Sequence, residues 1–389
     1  MKKFPREALR IAFAGQALIE RTPSRIEAAR MSGIEAVLRE ADIAFCDLEV
    51  ALKTSTSSFP TKDAVIHAAP VDVLNVMKSL GFNTLALANN HFADLGPWSV
   101  TESLTEIENR GFFFAGAGTT ADNARQPQRR NGISFSAVLT SPKPVAGRAI
   151  NANADDDIPA RAGVNGISVR RSLHVDAEDF AALKRITERT GHSQRTEREI
   201  GTGRTTAPAT GNIDFYGLTV HQARHTHEEA NLDSRERTNL IETVRREAQS
   251  GFRSLVSIHY HDWEPDWSLP PYWLQDLAHD CVDAGAFAVV GHGPPTMSGF
   301  EVYQHSLIAY GLGNFVFHTH RLGGYSWPTI WESVLLEASF DEEFSCCGIV
   351  LHPLHIDRDS DGRPGFPRLA DPSASAAIIR RIEELNSHL

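Results

Sequence analysis

Apolar runs of a few residues alternate with amphipathic stretches along most of the chain, and this alternation predicts its elements. Arg10 to Gly15 reads as a first short strand. Ser24 to Ala41 reads as a helix with Ile26, Ala29, Ile34, Val37 and Leu38 on one face, and Ile43 to Leu48 as a second strand. Pro70 to Leu80 is a predicted helix, Leu85 to Ala88 a buried strand, Trp98 to Asn109 a helix, and Phe112 to Ala115 a strand running into a Gly116-Ala117-Gly118 turn. The order is βαβαβ, the pattern of an α/β protein with parallel strands. Ile133 to Leu139 adds a further strand.

From Ser141 to about Asn212 the pattern changes. Asp155-Asp156-Asp157, a Gly163 to Gly166 turn and a polar Gly191 to Thr210 surround one predicted helix, Ala177 to Arg189. Residues 141–212 are therefore expected to form an insertion facing the substrate, with 1–140 and 213–389 as the two halves of one domain. Regular structure resumes with a strand Ile213 to Val220, a charged helix Glu228 to Gln249, a strand Ser254 to Ile258, a helix Pro271 to Ala284 and a strand Ala286 to Val290. Glu301 to Tyr303 and Leu307 to Leu312 suggest a hairpin, Val334 to Ile356 antiparallel strands, and Ser373 to Asn386 a closing helix.

The chain's 389 residues, 41% hydrophobic and 22% charged, suit one large α/β domain with insertions or two domains, and exclude global disorder. A net charge of −11 argues against a nucleic-acid surface, which needs a basic footprint. The N-terminus is basic, but its apolar run Ile11 to Gly15 is too short for a signal-peptide core. No apolar stretch approaches the roughly 20 residues needed to cross a bilayer, so no membrane contact and a cytoplasmic enzyme are expected. Cys46, Cys281, Cys346 and Cys347 have no C-x-x-C spacing and read as reduced.

The chemistry gathers where apolar strands end. Leu85-Ala-Leu-Ala is followed by Asn89, Asn90, His91 and Asp94; Ile43 to Leu48 by Glu49, after Asp47; the strand at Ser254 by His259 and His261; the strand at Ala286 by His292; and the first strand by Gln16. Open α/β sheets place ligands at these C-terminal strand ends. Imidazoles, carboxylates and an amide oxygen suit Zn, Mn or Fe better than Mg or Ca. His259 and His261 lie on one extended segment, and at most one of them is expected to face an ion. His67, His221, His225 and His227 are read as solvated loop residues. Tyr260, Trp263, Trp267, Tyr272 and Trp273 are candidates for lining a pocket, and Arg170 and Arg171 for recognising a carboxylate.

The order of these motifs resembles the CapA-type family, associated with capsule and poly-gamma-glutamate synthesis, of the calcineurin-like metallophosphoesterase superfamily. The resemblance rests on Asp47-Leu48-Glu49, Ala88 to Gly96, Gly116-Ala117-Gly118, Asp283 to Ala286, Gly291-His292-Gly293-Pro294 and Tyr310 to Phe315. It implies a four-layer αββα sandwich of two mixed sheets flanked by helices, with a metal centre at the sheet ends. It also implies Asn90, His259 and His292 as ligands of one metal, Asp47 or Glu49 as its carboxylate, and His91, supported by Asp94, as the acid that protonates the leaving group. The family's Gly-Asp after the first strand is Gly15-Gln16 here, and its second histidine after His292 is replaced by Pro295. Both losses fall on the other metal, so one ion is expected, with Glu49, His261 or Glu264 as the residues able to rebuild a second.

A single ion suits amide hydrolysis better than phosphoester cleavage, which benefits from two. The expected function is a soluble metal-dependent hydrolase acting on a gamma-glutamyl, peptide-like or cyclic natural-product amide. The alternatives are a phosphoesterase and a non-catalytic accessory of capsule or poly-gamma-glutamate synthesis.

Overall fold

The computed structural model describes residues 9–56, 59–63, 65–141, 147–155, 157–321, 325–359 and 361–389. Most of the basic N-terminus and Asp156 of the acidic run lie outside the described residues. Contacts divide the chain into two compact units, Met1–Ile167 with Arg235–Leu389, and Ser168–Ser234.

The larger unit is mixed α/β and contains two large sheets. The first runs in the order Pro364–Leu369, Cys346–Arg358, Glu332–Phe340, Leu9–Leu18, Ile43–Leu48, Thr84–Ala86 and Phe113–Ala115, with Asn314–Phe317 also pairing Leu9–Leu18. Its strands are parallel from Leu9–Leu18 to Phe113–Ala115 and antiparallel from Leu9–Leu18 to Pro364–Leu369, while Asn314–Phe317 pairs the end of Leu9–Leu18 in parallel. The second runs Gly166–Ile167, Ile133–Thr140, Arg253–His259, Ala286–His292, Ser306–Ala309 and Phe300–Tyr303, with Gln128–Arg130 beside Ile133–Thr140. Burial on both faces explains the near-continuous apolar sequences of the central strands.

Aromatic residues from the two sheets meet between them. Phe45 of the first sheet packs edge-on against Phe135 of the second at 5.7 Å, and Phe287 of the second against Phe340 of the first at 5.0 Å. The parallel strands carrying Asp47, His259 and His292 therefore share one core, and His259 and His292 are direct register partners on adjacent strands.

The smaller unit is a four-stranded sheet, in the order Ile213–Phe215, Leu218–Gln222, Val169–Val175 and His227–Leu232, with helices Ala177–Arg189 and His192–Gly201. Several expected elements differ here. The helix predicted from Glu228 begins only at Ser234, because His227–Leu232 is a strand laddered against Val169–Val175. The strand predicted over Ile213 to Val220 is a hairpin, turned at Tyr216 (φ 55°) and Gly217 (φ 88°). His221 and His227 consequently lie on strands and stack on either side of His174, at 4.5 and 4.6 Å. In the larger unit, the helix predicted over Ser24 to Ala41 is two helices, Arg25–Arg30 and Ser32–Glu40; Met31 N–H closes the first by donating to Glu27 and Ala28 carbonyls.

Candidate metal centre

The two adjacent asparagines behave differently. The Asn89 side chain is fully engaged: its Nδ2 donates to Asp47 Oδ1 (2.8 Å) and Leu48 O (2.9 Å), and its Oδ1 accepts from His91 N (3.2 Å) and Phe92 N (2.8 Å). It ties the turn after Thr84–Ala86 to the end of Ile43–Leu48. Asn90 Oδ1 is buried with no hydrogen-bond partner among the described residues.

Asp47 and Glu49 divide in the same way. Asp47 is fully buried, with Oδ1 taken by Asn89 and Oδ2 2.7 Å from His259 Nδ1. Burial pushes its carboxyl up to about 6, against the pull of His292 and the Asn89 amide. Glu49 Oε1 lies 3.7 Å from His259 Nε2, while its Oε2 is buried and unpartnered. Burial, reinforced by the Asp47 charge, holds the Glu49 carboxyl well above its ordinary range. A carboxylate on Nδ1 fixes the tautomer of His259 and aims Nε2 away from Asp47.

His292 is 1% exposed, and neither ring nitrogen has a hydrogen-bond partner among the described residues. Burial lowers its proton affinity to about 4 and that of His259 to about 3, so both imidazoles are neutral at pH 7. The backbone joins their strands past the ladder: Tyr260 N–H donates to His292 O at 2.8 Å, and a Cβ on Gly293 would lie 1.9 Å from Tyr260 O.

His91 Nδ1 lies 2.7 Å from Asp94 Oδ2 and 3.0 Å from Lys62 Nζ. Lys62 Nζ also forms a 2.7 Å ion pair with Asp94 Oδ1 and donates to Asn90 O. Burial and the Lys62 charge drive the His91 proton affinity far down, and burial pushes the Asp94 carboxyl up to about 6 despite Lys62. Sequence reasoning missed Lys62, which sits on an irregular segment without periodicity.

His261 Nε2 is 3.1 Å from His259 Nε2, and the donor atoms of Glu49, His259 and His261 all lie within 4.8 Å of one another. The expectation that at most one of these histidines faces the ion fails, because residues two apart along an extended segment point to the same side. Glu264 is half-buried and, like Asp47 and His292, belongs to none of the metal-capable groups among the described residues. Gln16 is a latch: its Oε1 accepts from Gly293 N (2.7 Å), and its Nε2 reaches Gly293 O (3.1 Å), Pro294 O (3.4 Å) and Asn314 Oδ1 (3.1 Å).

The aromatic group splits in two. Tyr260 and Trp273 are core residues packed edge-on at 5.9 Å, and Tyr272 is exposed. Trp263, Trp267 and Trp327 form a file of rings starting at His261, with steps of 5.1, 4.8 and 5.3 Å. Arg170 and Arg171 pair with Asp233 and Glu228 of their own unit. His67, read from sequence as a solvated loop residue, is 5% exposed. Its apolar neighbours Ile66, Ala68 and Ala69 were the signal for burial.

Unpartnered buried donors at Asn90, His292 and Glu49 are what a divalent transition ion would satisfy, and neutral imidazoles with a carboxylate are the appropriate donor set. The uncharacterized proteins y4sH and y4uA of Sinorhizobium fredii are each 25% identical over 96% of this chain and 88% of their own length. The capsule biosynthesis protein CapA of Bacillus anthracis is 24% identical over 67% of this chain and 46% of its own. The PGA biosynthesis protein CapA of Bacillus subtilis is 22% identical over 82% and 65%. A family model described as bacterial capsule synthesis protein PGA_cap matches residues 10–319, a span that includes every strand end contributing to the centre. The chain belongs to that family, within the metallophosphoesterase-like superfamily.

Proposed function

We propose that this protein is a metal-dependent hydrolase that cleaves an amide bond in a gamma-glutamyl, peptide-like or cyclic substrate. The observation that carries the reading is the set of buried donor atoms without partners, Asn90 Oδ1, Glu49 Oε2 and both nitrogens of His292, on strand ends around a neutral His259. Glu49, Asn90, His259 and His292 would hold the ion, with His261 beside them, and Asp47 would orient His259. A divalent ion bound there supplies Lewis acidity for a water and the scissile carbonyl.

His91 begins neutral. With Nδ1 facing Asp94, its Nε2 accepts a proton from the attacking water and returns it to the departing nitrogen. Asp94 stabilises the transient imidazolium, and Lys62 keeps Asp94 ionised. The ring file from His261 to Trp327 gives an apolar substrate group a surface to rest on.

Amide cleavage is favoured over phosphoester cleavage by Gln16 and Pro295. The Gln16 amide is fully occupied as a latch, and proline offers no side-chain donor, so the second superfamily ion lacks two ligands at this centre. The two-sheet core is the basis for inferring a four-layer αββα sandwich.

The test is a panel of gamma-glutamyl, linear and cyclic peptide amides alongside an aryl phosphate, assayed with chelator and with added Mn or Zn. Metal-dependent amide cleavage that His292→Ala and His91→Ala abolish is expected. Turnover of the phosphate alone establishes a phosphoesterase, and no turnover of any substrate under every metal condition favours an accessory role in capsule or poly-gamma-glutamate synthesis.

A further inference from the structure

Glu20, His67 and His320 lie outside that centre, and the proposed reaction uses none of them. Sheet register brings the first and last together. Leu18 and Phe317 are partners on parallel strands, His318 N–H donates to Leu18 O (3.0 Å), and Glu20 N–H donates to His318 Nδ1 (3.0 Å). His67 arrives from the segment before Ala68–Pro70, its backbone fixed by Asp94 Oδ2 on its N–H (3.0 Å) and Ala51 N–H on its carbonyl (2.9 Å). Glu20 Oε1 then lies 2.5 Å from His67 Nδ1 and 3.0 Å from His320 Nε2. The two rings stack at 5.4 Å and 14°.

We propose that Glu20, His67 and His320 form a second site for a divalent transition-metal ion, separate from the centre at Glu49, Asn90, His259 and His292. Their donor atoms all lie within 4.8 Å of one another. Bonds of about 2.0–2.2 Å to a common ion bring ligand atoms within roughly 4 Å, so small side-chain rotations complete the site. Two imidazoles and one carboxylate leave a coordination position for water or a ligand oxygen. His67 is the fixed ligand, anchored through its backbone, and the His320 side chain, 60% exposed, is the ligand on the solvent side.

The placement gives this site a bearing on the reaction, although its existence does not depend on that reading. The His67 ring meets His91 edge-on at 4.5 Å, so the second ion lies one residue away from the proton-transferring imidazole. The chain that lost two ligands of the superfamily's second ion thus has another place for one.

The test uses full-length protein stripped with chelator and reloaded with Co²⁺. The readouts are bound cobalt per chain after dialysis and the visible spectrum. His320→Ala and Glu20→Gln are each expected to bind one ion fewer than wild type and to lose the corresponding absorption band. His292→Ala should lose a different band and keep that one. His320 is exposed, so its alanine variant should retain the wild-type circular dichroism, and Glu20→Gln, nearly isosteric, provides an independent reading. Retention of the wild-type count and spectrum in both variants overturns the proposal. Loss in His292→Ala with no change in Glu20→Gln overturns this site and supports the main centre; the reverse pattern supports this site and removes the main one.

Discussion

Asn89 and Asn90 are the same residue type at consecutive positions, yet their substitutions should have opposite consequences. Asn89→Ala strands the Asp47 carboxylate without its amide donor and frees two backbone N–H groups. It should lower stability by about 1–3 kcal/mol in urea unfolding. Asn90→Ala removes an oxygen that bonds to nothing among the described residues, so the unfolding midpoint should stay near wild type while metal affinity falls. Asp47→Asn should keep the ion but weaken it about 10–100-fold by equilibrium dialysis, because it loosens His259 rather than removing a ligand. Asn90, His259 and His292 were legible because a polar residue ending an apolar run stands out. Which of Asp47 and Glu49 retains a free oxygen was not legible, since that depends on Asn89 and His259 from other strands. Lys62, Glu20 and His320 were invisible for a related reason: they sit beyond strand ends or on irregular segments, where only tertiary register gives them neighbours.

Among the elements, the parallel strands of the larger unit were the most legible, because burial on both faces writes an uninterrupted apolar run. The strand His227–Leu232 was not, since Glu228 and Glu229 favour a helix locally and only the ladder to Val169–Val175 overrides them. The strand Asn314–Phe317 leads into His318, whose Nδ1 accepts from Glu20 N–H and which therefore must stay neutral. Burial, helped by the Arg21 charge, lowers its proton affinity from 6.5 to about 4. The unfolded chain binds that proton first, so the contribution is complete above about pH 6.5 and is lost as pH falls toward 4, by at most roughly 3 kcal/mol. His259 and His292 act in the same direction, and Asp47 and Asp94, with raised values, act in the opposite one. Comparing wild type with His318→Asn isolates the one contribution: the variant should show a shallower decline in melting temperature between pH 6.5 and 4.

At the scale of the molecule, the smaller unit begins and ends at one point, since Asp233 N–H donates to Ser168 O at 2.8 Å. An excursion whose ends already meet can be replaced by a short link at little closure cost. Joining Ile167 to Arg235 through a few Gly and Ser residues should leave the larger unit folded, with its near-ultraviolet circular dichroism and metal content unchanged. Loss of cooperative unfolding would show instead that Ser168–Ser234 is needed for folding.

Gln16 has a consequence for any attempt to build a second ion into this centre. Installing the Gly-Asp that the resemblance implies after the first strand takes one substitution, Gln16→Asp. That carboxylate would face Gly293 O, Pro294 O and Asn314 Oδ1, three acceptors now served by the amide N–H₂ group. The variant would lose the latch and gain one of the two missing ligands, because Pro295 would still lack the imidazole. Gln16→Asp alone is therefore expected to lower the urea unfolding midpoint without raising the number of ions bound per chain.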